Sequence, residues 1–312
     1  MLETENNMDY KIRTDLALEV RESFPEDDVE IKGVVLTEDF DKQNKIRIST
    51  VVIKDEAGAR AMEKPIGTYI TIEAPELDNS SEDYHKPVSD YIAQNLRKLA
   101  GNLYNDEILV VGLGNREVTP DSLGPQVVDN LFVTRHLIRE FGKEFKEQNH
   151  LGNVSAISPG VMAQTGMETV EIIKGVIMET NPKLIIVIDA LASRSINRLN
   201  TTVQIADTGI SPGSGVGNNR KALNEESLGV KVIAIGVPTV VDAATIVADT
   251  LTKYMETTGF SREDIFSFIS EINGNQVYNM FVTPKNIDEM VKQISYTLSE
   301  ALNSCFSAAN LS

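Results

Sequence analysis

Two aspartates stand where an α/β chain places its chemistry. Asp121 follows the apolar run Ile108–Leu113 in ILVVGLGNREVTPDSLGP, after the turn Gly112-Leu113-Gly114, and lies beside a predicted helix start. Asp189 closes the apolar run LIIVI, Leu184–Ile188. Ligands of open α/β sheets bind beyond the carboxyl ends of the strands, so if these two runs are neighbouring strands, both carboxylates face one crevice. Two carboxylates a few ångström apart do not both ionise cheaply, and such a pair holds one proton near neutral pH. One member can then activate a water while the other protonates a carbonyl oxygen or a leaving amine. That is peptide hydrolysis without a nucleophilic side chain or a metal. Taken singly, Asp121 reads as a helix N-cap. Asp189 is harder to explain that way, because a carboxylate closing a fully apolar strand is costly without a partner.

The elements that must position this pair are legible from periodicity. From Asp106 onward the pattern is strand, loop, helix, repeated: EILVVGL, then one helix over DSLGPQVVDNLFVTRHLIREF, VSAIS, a helix over TGMETVEIIKGVIMET, PKLIIVIDA, TTVQIAD and VKVIAIGVP. A helix is predicted from Val240 to Met255, further helices after Gly259, and a C-terminal one over Ile287–Cys305. Near-continuous apolar strands alternating with amphipathic helices imply a doubly wound α/β fold, with a mostly parallel sheet covered on both faces. Before it, KIRISTVVIKD (45–55) and IGTYITIEAPEL (66–77) alternate as half-buried strands of a smaller β-rich N-terminal region. Ser81–Gly101 reads as a helix stopped by its glycine, and residues 1 to 30 as a charged, poorly packed leader.

Competing chemistries fit less well. The turn at Gly112 lacks the third glycine of a dinucleotide fingerprint and has Glu117 there, which would oppose a pyrophosphate. The glycine-rich DTGISPGSGVGNNRK (207–221) has no Lys-Ser/Thr after its final glycine, so it is not a phosphate loop. Its Asp207-Thr208-Gly209 has no second copy and no all-β scaffold, and reads as the start of a loop. The three histidines, His85, His136 and His150, avoid the predicted strand ends, and Cys305 has no activating neighbour in sequence.

Composition narrows the partners. A net charge of −17 with no basic stripe opposes direct nucleic-acid binding. A single cysteine excludes a disulfide framework or a cysteine zinc cluster, and fits a reducing, intracellular setting. The polar N-terminus has no signal-peptide core, and no apolar run is long enough for a membrane span.

GLGNREVTPDSLGP, VIDALASRS, DTGISPGSGVGNNR and AIGVPTVVDA, in this order, resemble the germination protease family of spore-forming bacteria. The resemblance runs from RTDLALE to the C-terminal helix. It implies an atypical aspartic endopeptidase that degrades small acid-soluble spore proteins during germination, with Asp121 and Asp189 as the catalytic pair. It also implies a relation in fold to hydrogenase maturation endopeptidases. Those share the Gly-x-Gly-Asn turn but grip a metal with a histidine and two acids. No histidine stands in a comparable loop here, so no metal and no cofactor are expected.

The same resemblance implies a zymogen that removes its own propeptide between Asp15 and Leu16, giving a propeptide over 1–15 and a mature peptidase over 16–312. Within the latter, the β-rich part spans about 30–80, the α/β core about 84–258 and the C-terminal helices about 259–312. The family's substrates are cut after Glu in a Thr-Glu-(Ile/Phe)-Ala setting. Thr14-Asp15-Leu16-Ala17 is a near copy with a shorter acid, the form expected of a tethered, slowly cut mimic. Selection for Glu at the cut asks for a basic or amide-rich pocket, for which Arg194, Arg198 and Arg220 are the candidate substrate-binding residues. A homotetramer in the cytoplasm of the forespore or spore core is implied, with no membrane association. The alternatives are a metal-dependent maturation endopeptidase of the same fold and a non-catalytic nucleotide or small-molecule binder.

Overall fold

Strands buried on both faces build the sheet that organises the chain. The computed structural model describes residues 14–24, 31–75, 77, 82–101, 103–213, 220–258 and 280–307. Its strands are β1 (Val34–Asp41), β2 (Ile46–Ile53), β3 (Gly67–Glu73), β4 (Glu107–Gly112), β5 (Asn153–Ile157), β6 (Leu184–Ser193), β7 (Thr202–Ala206), β8 (Lys231–Asp242) and β9 (Phe281–Val282). They lie in the order β1-β2-β3-β7-β8-β6-β4-β5, with β9 on β8. The core β8-β6-β4-β5 is parallel. The N-terminal β-rich region does not stand apart: β1, β2 and β3 extend this same sheet by antiparallel pairing through β7.

Period-two alternation divides the core between the two faces. Ile108 and Val110 of β4, Ile186 and Ile188 of β6, and Ile233 and Ile235 of β8 pack under α3 (Glu82–Ala100), α4 (Leu123–Asn130) and α10 (Ile287–Phe306). Leu109 and Val111, Ile185 and Val187, and Val232 face α7 (Thr169–Thr180) and α8 (Glu225–Leu228). Helices on both faces of a parallel core are the α/β architecture expected from the sequence.

Four features differ from expectation, the first two for a hydrogen-bonding reason. The single helix expected over 121–141 is two, α4 and α5 (Arg135–Gln148). Thr134 breaks it: its N–H donates to the Val154 carbonyl (3.0 Å), and its hydroxyl donates to the Gly152 carbonyl (2.5 Å) and accepts from the Val154 N–H (3.0 Å). Val240, Val241 and Asp242 are strand rather than helix, because they continue the pairing of β8 with β6 and β9, and α9 (Ala243–Thr257) starts only after them. β1, unexpected from the sequence, is an edge strand whose TEDFD end is mostly exposed and carries no apolar alternation. Finally, the leader is packed where it is described. α1 (Ala17–Glu22) follows Leu16, and Leu16, Ala17 and Leu18 are 0%, 0% and 2% exposed. Ala17 seats against Val51, Met62 and Tyr69, with Ala206 of β7 in the same cluster. Residues 1–13 and the helices expected over 259–279 lie outside the described residues.

Candidate active site

The site sits where neighbouring strands stop at different points. β4 ends at Gly112, which pairs with Ile188, whereas β6 runs on beside β8 to Ser193. Asp189 therefore does not end its strand, as expected from the sequence. It lies mid-strand, one residue past the end of β4, at the carboxyl edge of that part of the sheet. By parity with Ile185 and Val187 it belongs to the α7 face. It is 6% exposed, and one carboxylate oxygen accepts from the Ala190 N–H at 3.0 Å.

Asp121 reaches the same place from β4. The chain leaves Gly112, turns at Gly114 with φ +114°, and closes a short 3-10 turn over Thr119–Asp121 before α4. A Cβ at Gly114 would lie 1.9 Å from the Asp121 carbonyl oxygen, so the turn admits only glycine there. The Asp121 carboxylate accepts the Asn115 N–H at 2.8 Å. In a nucleotide-binding turn such an N–H would serve a phosphate; here it is directed at a carboxylate. That settles the role of the glycines: this turn holds an acid. Asp121 is not an N-cap by its side chain, since that oxygen bonds back to the turn rather than forward to α4. Thr239 of β8 anchors the arrangement by donating its hydroxyl to the Pro120 carbonyl at 2.7 Å.

Asp121 and Asp189 line one cavity of about 530 Å³, together with Leu113, Val161, Thr239 and Arg220. Burial raises the pKa of Asp121, opposed by the Asn115 N–H. Burial raises that of Asp189 well above the carboxylate range, and the charges of Asp121 and Asp15 raise it further. The two carboxyl groups thus interact, and burial together with that repulsion favours the protonated form of Asp189.

The third acid in that cavity is Asp15. Past Gly112, β4 no longer lines β6, and Ala192 is engaged by the leader instead. The Asp15 N–H donates to the Ala192 carbonyl, and the Asp15 carboxylate accepts from the Ala192 N–H, both at 2.9 Å. The Asp15 carbonyl oxygen accepts from Lys64 Nζ at 3.0 Å and from Gln204 Nε2 at 3.3 Å. The other end of the same amide, Gln204 Oε1, accepts the Ala17 N–H at 2.7 Å. Neither Lys64 nor Gln204 was expected from the sequence. No motif marks them, and they lie 49 and 189 positions from Asp15.

Beyond the bond, Glu19 is 3% exposed and fastens α1 to the segment after β6. It accepts the Arg194 N–H at 2.7 Å and the Ser195 N–H at 3.0 Å, and Thr14 donates its hydroxyl to the same carboxylate. Arg198 donates to Glu22 at 2.6 Å and to Glu73 at 2.9 Å, with Glu19 at 3.4 Å. Arg194 pairs with Asp249 at 2.7 Å. Arg194 and Arg198 line a separate polar groove of about 920 Å³ that contains Glu19 and Glu22. Of the three candidate arginines, therefore, only Arg220 lies on the aspartate cavity. Of the other two, Arg194 pairs with Asp249, and Arg198 meets Glu19 and Glu22, which follow the Asp15–Leu16 bond, as well as Glu73. Replacing Arg198 with methionine leaves Glu19 and Glu73 buried or half-buried beside an apolar stem, and is expected to lower stability by about 1–3 kcal/mol. Chemical denaturation of the full chain measures this, and an unchanged midpoint would show the ion pairs to be idle.

The remaining candidates lie elsewhere. Asp207 closes β7 by accepting the Thr68 N–H at 2.7 Å, a loop-start role, and residues 214–219 of the glycine-rich stretch lie outside the described residues. His85 stacks on Tyr296 and bonds Thr297 and Glu300 of α10. Cys305 is buried on that helix, and burial pushes its thiol up to about 11. Among the described residues no group of three or more His, Cys, Asp or Glu side chains is arranged to hold a metal ion, and no helix is long and apolar enough to cross a membrane.

Asp189, buried, and Asp121, half-buried, share their cavity with Asp15 of the leader, and likeness to known proteins makes the chain a peptidase. It belongs to the germination protease family, whose model matches residues 13–265. It is 47% identical to the germination protease of Caldanaerobacter subterraneus subsp. tengcongensis over 94% of this chain and 93% of that one. The germination protease of Clostridium tetani is 42% identical over 94% of each chain. Among solved structures, the [NiFe] hydrogenase maturation protease HycI from Thermococcus kodakarensis aligns over 68% of this chain and 98% of its own, with 16% identity and a TM-score of 0.36. No residue is carried across a likeness that small.

Proposed function

We propose that the chain is an aspartic-type endopeptidase made as a zymogen, which first cuts its own Asp15–Leu16 bond and then initiates the breakdown of small acid-soluble spore proteins at germination. The observation that carries the reading is the placement of Asp15 in the cavity of Asp121 and Asp189, with its carbonyl oxygen and the Ala17 N–H both held. In this scheme the ionised member of the pair takes a proton from a water that attacks the Asp15 carbonyl carbon, and the protonated member gives its proton to the carbonyl oxygen. The tetrahedral diol then collapses: the member that took the water proton passes it to the Leu16 nitrogen, the other member takes a proton from a diol hydroxyl, and the C–N bond breaks, leaving a neutral amine on Leu16, a carboxylic acid on Asp15 and the pair restored. Residues 1–15 act as the propeptide, and Asp15, shorter by one methylene than the Glu expected in substrates, makes the tethered segment a slow substrate. The strand-like pairing of Asp15 with Ala192 supports recognition of an extended peptide on the vacated edge of β6. Family membership supports the spore-protein substrates, a homotetramer and a place in the cytoplasm of the forespore or spore core.

Incubating the purified protein with a purified small acid-soluble spore protein tests the reading. Mass spectrometry is expected to show cuts after Glu in the substrate and a processed enzyme beginning at Leu16. A processed form beginning elsewhere removes the role of Asp15, and an intact spore protein beside fully processed enzyme removes the substrate class.

A further inference from the structure

Asp189, Gly236 and Gln204 stand in one row across three adjacent strands, since Gly236 of β8 pairs with Asp189 of β6 on one side and with Gln204 of β7 on the other. Adjacent strands lie about 4.8 Å apart, which puts Asp189 and Gln204 roughly 10 Å from each other. Between them the row has no side chain. A Cβ at Gly236 would come within 2.4 Å of the Leu191 side chain, which fills the space over this glycine.

The carbonyl oxygen of Asp15 has two donors, and they come from separate elements. Lys64 reaches it from the turn between α2 (Glu56–Met62) and β3, and Gln204 reaches it from β7. The orientation of the Gln204 amide is fixed by its partners: an N–H can only donate and a carbonyl only accept, so Oε1 faces Ala17 and Nε2 faces Asp15. One side chain thereby grips the backbone on both sides of Leu16. Burial lowers the pKa of Lys64, and the charges of Asp15, Glu19 and Glu63 oppose that by favouring its protonated form.

We propose that Lys64 and Gln204 are catalytic residues of this peptidase, forming an oxyanion clamp on the carbonyl of the bond to be cut. The inference rests on the reading that Asp15–Leu16 is cleaved by the Asp121/Asp189 pair, and it adds what that pair lacks. As water adds to the Asp15 carbon, the C=O bond becomes a C–O bond and negative charge grows on the oxygen until the protonated aspartate transfers its proton. An ammonium and an amide N–H already aimed at that oxygen stabilise the growing charge without reorganisation, and both strengthen as the charge develops. Neither residue gains or loses a proton over the cycle. Gln204 also holds the Ala17 N–H, which keeps the leaving side in register while the carbon changes from planar to tetrahedral.

Lys64→Met keeps the aliphatic stem and removes the charge, and Gln204→Leu removes both ends of the amide grip. In the full-length chain each is expected to slow self-processing about 10²- to 10³-fold, the usual effect of losing one oxyanion donor. Lys64→Arg, which keeps a cationic donor, is expected to recover most of that loss. Hydrogen exchange at residues 15–18 separates catalysis from anchoring: the clamp predicts that Lys64→Met processes slowly while these amides stay protected. Normal processing in Lys64→Met overturns the proposal, as does a loss of rate matched by an equal loss of protection. Should Lys64→Met fail to unfold cooperatively, Lys64→Arg and Lys64→Gln decide the question, since the clamp requires the charged variant to outpace the neutral one and equal rates refute it. Asp189→Asn run in parallel keeps the parent reading distinct: processing at the normal rate there, or a cut at another bond, removes that reading whatever Lys64 does.

Discussion

Asp189→Asn is expected to abolish self-processing, with a rate loss of about 10³-fold or more, while leaving the fold intact. Asparagine matches aspartate in shape and keeps an oxygen for the Ala190 N–H, but it neither holds nor releases the shared proton, and general acid–base catalysis of this kind supplies about 10²- to 10⁴-fold. The sign of the stability effect separates a chemical role from a structural one. Asp189 has its pKa raised by burial first, and then by the charges of Asp121 and Asp15. The folded protein therefore binds this proton more tightly than the unfolded chain does. The corresponding stability is present in full below the ordinary carboxylate range and is lost as pH rises through the raised folded value. Asparagine has no such dependence. The variant should consequently match or exceed the parent in thermal stability at mildly alkaline pH, although it no longer cleaves. A variant that melts earlier at alkaline pH, or that still processes itself, contradicts the assignment. Asp121→Asn should show the same loss of cleavage, because in the proposed mechanism the two carboxyl groups divide one proton.

Gly114→Ala is expected to cost nearly as much activity with no charge altered. The residue has φ +114°, and its new Cβ would sit 1.9 Å from the Asp121 carbonyl oxygen, which is backbone and has no rotamer to yield. Either the turn opens and the Asn115 N–H leaves the Asp121 carboxylate, or Asp121 moves bodily. Strain of this kind costs about 1–3 kcal/mol, and a displacement of about 1 Å at a reacting group can cost 10²-fold in rate. Self-processing followed by electrophoresis, with thermal unfolding alongside, measures both. Parent-like cleavage would show that the position of Asp121 matters less than its presence.

The two aspartates were legible because each follows an apolar run whose burial on both faces is written into the residues. Ile108–Val111 and Leu184–Ile188 alternate between the two halves of the core, so their carboxyl ends, and the acids just beyond, could be located without coordinates. Features that depend on a neighbour distant in sequence could not be read. β6 runs past Asp189 only because β8 continues beside it. The helix expected over 121–141 breaks only because Thr134 finds Val154 and Gly152. The leader was expected to be loosely packed because its residues are charged. Yet Glu19, the residue that looks most soluble, is buried against the Arg194 and Ser195 amides. Lys64 and Gln204 belong to the same class. A lysine in a turn and a glutamine in an apolar strand carry no pattern, and their meaning comes from one carbonyl oxygen supplied by the other end of the chain. The arginines also depend on neighbours distant in sequence. Arg194 and Arg198 had the right chemistry and lay near the right loops, but the course of the chain after β6 carries them to the far side of the bond.

Leu16, Ala17 and Leu18 are sealed against the body of the molecule, and Glu19 is bolted down by two amides. The cut proposed before Leu16 would leave all of those contacts in place. The fresh amino terminus remains covalently part of the enzyme, at an effective concentration in the millimolar range for so short a tether, where it competes with every incoming polypeptide. On the proposed function, maturation is then two events, scission and eviction, and the second sets when the enzyme becomes available to other chains.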